Sequence, residues 1–293
     1  MTSAGITQFG FNKQCMKSVE LGGFKWTADE SVDACVLASP TEHCTLLKCV
    51  PLNDSPTLLW SCLARGTLDF TDSSGSKQAT FHTWNYRFDH LHDEAHLHRR
   101  ISSYNRAQGA CATKSYGRIH IDIVESFCTD LSKRDNALIE DDSDAAKVKI
   151  EDEKIWISKK VLSVHSPFFE NLFTKDPNKE LYEVDVEIIR FIFFLGVIHD
   201  VPMHSAEYST GFLAYCGDIF KCKKALRISE EHLQDTEGKG DVGLSFLSAD
   251  HLKMHKLLMD CLDKMSIEDL KNLRDCNLSQ FAKDLILQKI MSF

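Results

Sequence analysis

Residues 147–200 constrain the fold of this 293-residue chain more than any other stretch, because strand-like periodicity gives way there to helix-like periodicity. The segment KVKIEDEKIWISKK places apolar residues at alternate positions on both sides of an acidic turn, Glu151-Asp152-Glu153. This alternation is typical of strands with one buried face and predicts a hairpin. Pro167 then interrupts a helical apolar pattern. We therefore expect one helix to end near His165 and another to begin with Pro167 in its first turn.

The rest of this stretch, ELYEVDVEIIRFIFFLGVIHD, predicts an edge strand followed by a helix. Asp185 is expected to cap that helix, because a carboxylate can accept hydrogen bonds from the free amides of a first turn. Residues 188–198 are apolar nearly all round, which is typical of a helix buried on every side. Pro202 then breaks the chain, and Ser205 is expected to cap the helix that follows.

Helical periodicity continues to the C-terminal end, after a glycine-rich break between 238 and 243. Ser266 and Asp269 form a capping-box pattern that predicts the start of one helix. Ser279 is expected to cap the last helix, which carries Phe281, Leu285 and Ile290. The C-terminal segment is therefore predicted to be wholly helical.

The order of elements in residues 147–200 resembles the BTB (POZ) domain, and looks most like the large nematode branch of that family. The residues that carry the resemblance are Lys159-Lys160, Leu162, Ser166-Pro167 and Phe168-Phe169-Glu170-Asn171-Leu172-Phe173. One departure is the first strand, Ala-Ala-Lys-Val-Lys-Ile behind Asp144, where the family has an unbroken apolar run. The resemblance implies a BTB/POZ α/β domain over residues 146–235, with a helical extension over residues 236–293.

Residues 19–130 consist of short β-like segments separated by turn-forming residues, which predicts an antiparallel sandwich or barrel. The segments are GGFKWTA, ACVLAS, CTLLKCV, LLWSCLARGTLDF, TFHTWNYRF and GRIHIDIVESF. The stretches Gly22-Gly23-Phe24-Lys25-Trp26 and Trp60-Ser61-Cys62, together with Trp84, resemble landmarks of MATH domains, so the two halves are similar to a MATH–BTB arrangement.

The flanking segments complete the domain plan. Residues 1–18 lack periodicity and are expected to form a loose tail, and residues 131–145 contain an acidic run that is expected to be a linker with little to bury. The predicted fold class is α+β: an N-terminal antiparallel β-sandwich-like domain, then the BTB/POZ domain with its C-terminal helices.

Composition excludes several classes of function. The net charge of −9 argues against a nucleic-acid partner, because binding to phosphate backbones needs clustered lysine and arginine. The longest apolar run, residues 188–198, contains Arg190 and is shorter than the roughly 20 residues that cross a bilayer, so no membrane partner is predicted. Eleven cysteines without regular spacing, and no apolar leader after Met1, favour reduced thiols in a soluble cytoplasmic or nuclear protein.

Histidines crowd one segment of the N-terminal half, a pattern that fits either a metal site or a polar connection between strands. The members are His82, His90, His92, His96 and His98. If residues 91–99 were helical, His92 and His96 would share one face, a geometry suited to Zn²⁺. Because the segment supplies neither a C-x-x-C partner nor a His-Glu-x-x-His motif, no metal is predicted.

No motif for catalysis is present, and we predict neither an enzyme nor a cofactor. Cys44 with Cys49, and Cys216 with Cys222, do not match zinc-finger or redox spacing. The enzymatic alternative is a Cys–His pair whose members meet only in the folded chain. His165 could be taken for a catalytic base, but nothing near it in sequence resembles a nucleophile, and a structural or interface role is the prediction.

The BTB resemblance implies that the chain binds proteins. It implies self-association through the first strand and the first helix, with Val161, Leu162, Val164 and His165 at the dimer interface. It also implies recruitment of a cullin-based ubiquitin ligase, with the N-terminal domain selecting a substrate protein. The residues expected to face a cullin are Phe173, Lys175, Asp176 and Tyr182.

The loop of residues 174–180 lacks the apolar-x-Glu motif of similar cullin-recruiting domains. The alternative is therefore a scaffold that pairs with itself or with other BTB proteins and recruits no ligase.

Overall fold

The computed structural model describes residues 4–10, 17–30, 42–71, 82–100, 116–204, 207–236, 242–273 and 276–291. The chain divides into two compact units. The N-terminal unit comprises Met1–Ala137 together with Val201–His204, and the C-terminal unit comprises Leu138–Asp200 with Ser205–Phe293.

The described part of the N-terminal unit is built from antiparallel strands. They are β1 (Ala4–Gly10), β2 (Lys17–Leu21), β3 (Phe24–Glu30), β4 (Glu42–Pro51), β5 (Leu58–Thr71), β6 (His82–Asp89), β7 (Glu94–Arg100) and β8 (Tyr116–Asp130). One sheet has the order β1-β8-β5-β6 and the other has the order β2-β3-β4-β7. The antiparallel architecture predicted for residues 19–130 is confirmed; the predicted strand ACVLAS lies outside the described residues.

Alternation along the strands sends apolar side chains from both sheets into one core. Ile119, Ile121 and Ile123 are buried on β8, as their spacing predicts. Val124 alternates with them and is 41% exposed on the opposite face. The pairing of β5 and β8 shifts by one residue between Leu63 and Ala64, which leaves Val124 unpaired. Such a bulge leaves one residue without an opposite partner and bends the strand.

The first described segment of the chain differs from the expectation based on the sequence. Residues 4–10 were expected to be part of a loose tail, but they form edge strand β1, with Gly5 opposite Ile121 of β8. Short strands without a clear alternating pattern escape detection because their pairing partner lies far along the chain.

The turn between β2 and β3 holds Gly22 and Gly23 at φ of 62° and 85°, which a tight hairpin turn of this kind favours.

The C-terminal unit starts with a three-stranded sheet and continues with helices. The strands are β9 (Ala145–Ile150), β10 (Glu153–Ser158) and β11 (Tyr182–Glu183), in the order β10-β9-β11. The helices are α1 (Lys159–His165), α2 (Pro167–Lys175), α3 (Ile188–Ile198), α4 (Glu207–Ile219), α5 (Lys223–Thr236), α6 (Val242–His251), α7 (His255–Lys264), α8 (Ile267–Asn272) and α9 (Gln280–Met291). The predicted hairpin and the helix break at Pro167 are confirmed.

Helix α3 lies at the centre of its part of the unit, as its apolar sequence predicts. Six consecutive residues of the helix, 191–196, are buried. Phe194 contacts Phe220, with ring centroids 5.0 Å apart, and Phe169 of α2 contacts the same ring at 4.9 Å. This aromatic cluster joins α2, α3 and the end of α4, so its packing couples the elements that the sequence places around the break at Pro167.

The expected cap at Asp185 is wrong. Helix α3 begins at Ile188, and its N-cap residue Glu187 makes no side-chain capping hydrogen bond. Instead, the backbone N–H of Ile188 donates to Oε2 of Glu151, at 3.2 Å, from the turn of the β9–β10 hairpin. The side chain that accepts from the first turn of α3 is thus that of Glu151, in a distant turn, because the apolar core packs the hairpin against the helix.

The last helices form a second core, made by residues such as Phe246, Leu257, Leu258 and Leu262. The capping box of Ser266 and Asp269 is present, as predicted. Ser279 caps α9 by accepting a hydrogen bond from the N–H of Ala282, at 3.1 Å. Within the described ranges, no helix combines the length and apolar character needed to cross a membrane. The predicted cap Ser205 falls outside those ranges.

Candidate interaction surface

Helix α1 is short, and hydrogen bonds at its first turn hold it in place. The hydroxyl of Ser158 accepts from the N–H of Val161 at 3.1 Å. The carboxylate of Asp144 accepts from the N–H of Lys160 at 2.7 Å, and the carbonyl oxygen of Asp144 accepts from the N–H of Lys159 at 2.9 Å. These bonds satisfy amides that a helix otherwise leaves free, and they fix the direction in which α1 projects.

The acidic run is therefore more than a solvated linker, contrary to the expectation that it has little to bury. Asp144 is 1% exposed. Asp141 accepts hydrogen bonds from the N–H groups of Ser143 and Asp144, and its carboxylate lies 2.8 Å from Nζ of Lys160. The bond from Lys160, followed by those from Ser143 and Asp144, lowers the pKa of Asp141 below its usual range. The sequence shows Asp144 directly before the hairpin, but the amide whose hydrogen bond it accepts belongs to Lys160, 16 residues further along the chain.

The four residues predicted for a dimer interface divide between core and surface. Leu162 is fully buried in its own unit, so it supports α1 from below. Val164 points away from the core and is 80% exposed. Val161 and His165, the residues three before and one after Val164, are half-buried. Burial is the largest influence on His165 and lowers the pKa of its imidazole. Val164 and its two neighbours together define the face that we call the α1 face.

The residues predicted to face a cullin divide in the same way. Phe173 and Tyr182 are 6% and 1% exposed, and their rings pack edge to face at 5.1 Å. The hydroxyl of Tyr182 donates to the carbonyl oxygen of Asp176 at 2.7 Å, which anchors the loop after α2. Lys175 and Asp176 are exposed. Within this group, a partner can thus reach Lys175 and Asp176 directly, whereas the two aromatic rings shape the loop.

Sequence reasoning missed His199, a half-buried histidine that directly follows α3. Nε2 of His199 is buried and has no hydrogen-bond partner among the described residues. Burial is the main reason that the pKa of His199 falls from 6.5 to about 4; the charge of Asp144 opposes this change, and Lys224 and His165 add to it. Lys224 donates to the carbonyl oxygen of Ile198 and to Asp200. The histidine closes the end of α3 and is neutral at pH 7.

We expect the C-terminal unit to lose stability as the pH falls through the window between 6.5 and about 4. In that window the unfolded chain binds a proton at His199 and the folded chain does not, so acid favours unfolding; the loss reaches about 2 kcal/mol at pH 5. Urea unfolding at pH 7 and pH 5 measures it. A His199→Gln variant should show a shallower pH dependence, whereas the exposed His251→Gln control should not. Equal slopes for all three proteins would contradict this role.

The histidine-rich segment forms a strand end, a turn and strand β7, so residues 91–99 are not helical. The carboxylate of Asp89 organises the turn by accepting from the N–H groups of Leu91 and His92, at 2.9 and 3.0 Å. It also lies 3.2 Å from Nδ1 of His92. Across the residues for which positions are given, no group of three or more His, Cys, Asp or Glu side chains could hold a metal ion.

Comparison with known proteins identifies one part of the chain. The family model described as the BTB/POZ domain matches residues 140–237. No curated protein matches the chain. One solved structure, the BTB domain of human gigaxonin, is 17% identical; the match covers 29% of this chain and 74% of that chain, with a TM-score of 0.26.

Proposed function

We propose that this chain acts by protein–protein association through the BTB/POZ domain of residues 140–237, and that it pairs with a second copy of itself. BTB domains are protein-interaction modules that self-associate. Two observations support this assignment. The BTB/POZ family model matches residues 140–237, and the structure contains the hairpin and the two helices around Pro167 that the family resemblance implies.

The observation that supports pairing best is the exposure of Val164. At 80% it exceeds the exposure of the other large apolar side chains described, on a helix held rigidly by Ser158 and Asp144. In a symmetric dimer the same patch meets its own copy, so one α1 face would cover another. Burial of Val164 by a second copy then removes apolar area from water.

The pairing is expected to be weak. A patch of two valines and part of an imidazole buries little apolar area. Burial stabilises the dimer by about 25 cal/mol per Å², and this gain must offset the rotational and translational freedom that the two chains lose on association. Lys147 and Lys149 on β9 are half-buried and charged, which limits what that strand can add. We therefore place the dissociation constant in the micromolar range.

Val164→Glu is expected to weaken self-association by at least about tenfold, because the new carboxylate would face its own symmetry mate. The measurement is capture of an untagged copy by a tagged copy at equal concentrations. Val124→Glu is the matched control, since Val124 is a surface valine of the N-terminal unit and is 41% exposed. If Val164→Glu copies capture one another as well as wild type does, the α1 face is not the interface.

We further propose that the N-terminal unit binds a second protein and that the BTB/POZ domain brings a cullin-based ubiquitin ligase to it. One chain that holds both raises their effective concentration, and dimerisation adds avidity. Lys175 and Asp176 supply the exposed side chains for cullin contact, on a loop anchored by Tyr182. The competing proposal is a scaffold that recruits no ligase, which the missing apolar-x-Glu motif favours.

Capture of purified cullins by the immobilised full chain separates these two proposals. Retention of a cullin by wild type, reduced by the double change Lys175→Glu and Asp176→Lys, supports the adaptor. A chain that still dimerises but retains no cullin is a scaffold. The change keeps the net charge constant, so altered solubility does not confuse the result.

A further inference from the structure

Two cysteines face each other between the sheets of the N-terminal unit. Cys49 of β4 is paired in register with Trp26 of β3, and Cys62 of β5 is paired in register with Phe88 of β6. The rings of Trp26 and Phe88 meet edge to face across the core, with centroids 5.3 Å apart. Because each cysteine is the cross-strand neighbour of one of these rings, the ring contact also brings Cys49 opposite Cys62.

The two thiols lie in the same core, and Cys62 adds to burial in raising the pKa of the Cys49 thiol. Both residues are fully buried, and both are free thiols. Burial raises the pKa of the Cys49 thiol far above its usual range. A thiolate is the nucleophile in disulfide exchange, so the closed core keeps this pair unreactive toward solutes. Reaction is thus restricted to a chain that is folding or that opens briefly.

We infer that Cys49 and Cys62 form a disulfide that joins the two sheets when the N-terminal unit folds, or transiently opens, in the presence of a small-molecule disulfide such as oxidised glutathione. One cysteine thiolate attacks the glutathione disulfide, forming a mixed disulfide and releasing one glutathione thiolate. The second cysteine thiolate attacks the protein sulfur of that mixed disulfide and releases the other. The protein loses two electrons and two protons, and two molecules of reduced glutathione are formed.

The bond would act as a lock. In antibody domains a buried tryptophan packs against a disulfide that joins the two sheets, and here Trp26 lies directly opposite Cys49 on the neighbouring strand. The link closes a short loop, residues 49–62, and restricts the unfolded chain, so the unfolding equilibrium constant is expected to fall about 100-fold. Once formed, the disulfide lies out of reach of reductants in the closed core. The oxidation state of Cys49 and Cys62 would then persist as it was set by the thiol–disulfide ratio during folding.

The test unfolds the full chain under reducing conditions and refolds it in buffers that contain reduced and oxidised glutathione at set ratios. Non-reducing peptide mapping is expected to find residues 49 and 62 in one linked pair that is two hydrogen atoms lighter than the separate peptides. Urea unfolding should be about 100-fold less favourable for the oxidised N-terminal unit than for the reduced one. Cys49→Ala and Cys62→Ala should each remove this dependence on redox conditions, while Cys128→Ala, which removes an exposed thiol, should keep it.

The inference is overturned if Cys49 and Cys62 carry only glutathione adducts, pair with other cysteines, or stay as thiols at every ratio. It is also overturned if the linked chain unfolds as readily as the reduced one. Should either alanine variant fail to fold, the comparison of oxidised and reduced wild type decides the matter without it.

Discussion

Ile192→Asp is expected to abolish the cooperative unfolding of the C-terminal unit. Ile192 is 2% exposed in α3, between residues that are themselves buried. A carboxylate there would be left without a partner or forced to stay protonated, at a cost of roughly 5 kcal/mol, which is comparable to the stability of a whole domain. Calorimetry of the full chain should show the transition of this unit missing or strongly lowered.

The same helix supplies a matched control for this change. Ile189 is 41% exposed and lies one turn away from Ile192. Ile189→Asp adds an identical charge to α3 at a surface position, where substitutions usually change stability by less than about 0.5 kcal/mol. A normal melting profile for Ile192→Asp, or equal losses for both variants, would show that α3 is not the buried centre of its unit.

Gly66→Ala is expected to destabilise the N-terminal unit by roughly 3 kcal/mol or more. A Cβ built on Gly66 of β5 would overlap the carbonyl oxygen of His120 on β8 and lie 2.9 Å from the ring of Trp84 on β6. Neither neighbour can move freely, because both belong to paired strands of the same sheet. Urea unfolding followed by tryptophan fluorescence measures the loss.

Gly23→Ala serves as the comparison for Gly66→Ala. Nothing lies within 4 Å of a Cβ at Gly23, but its φ of +85° disfavours any L-residue, which costs roughly 1–2 kcal/mol. The two variants thus separate a steric clash from a conformational cost. If Gly66→Ala proves no worse than Gly23→Ala, the close approach of β5 to β8 and β6 at Gly66 is not real.

Features that depend on neighbouring residues could be predicted from the sequence. The alternating pattern around Glu151-Asp152-Glu153 gave the β9–β10 hairpin, because a half-buried strand needs apolar residues at every second position. Pro167 marked the boundary between α1 and α2, since proline lacks the N–H that a helix interior needs. The capping box at Ser266 involves only one turn of helix and was equally accessible.

Features that depend on distant residues could not be predicted in this way. The cap of α3 comes from Glu151, 37 residues earlier, although Asp185 lies closer in sequence. Strand β1 is recognisable only once β8 is in place beside it. The bulge at Val124 depends on how β8 meets β5, and nothing in the alternating sequence of β8 indicates where the register shifts.

The candidate interface shows the same division. A short helical segment indicates that Val161, Leu162, Val164 and His165 are close together, but not which of them faces the core. Packing buries Leu162 and leaves Val164 exposed. In the group predicted to contact a cullin, Phe173 and Tyr182 flank the polar loop of residues 174–180, and they pack against each other in the core. The tertiary fold sets the orientation of each helix and strand, and this orientation decides which of the predicted residues are buried and which are exposed.

Sedimentation equilibrium of the full-length wild-type chain tests the central proposal most directly. At protein concentrations from about 1 to 100 µM we predict a reversible monomer–dimer equilibrium with a dissociation constant in the micromolar range, in keeping with a small apolar contact. A single species with the mass of one chain at every concentration would contradict self-association through the BTB/POZ domain.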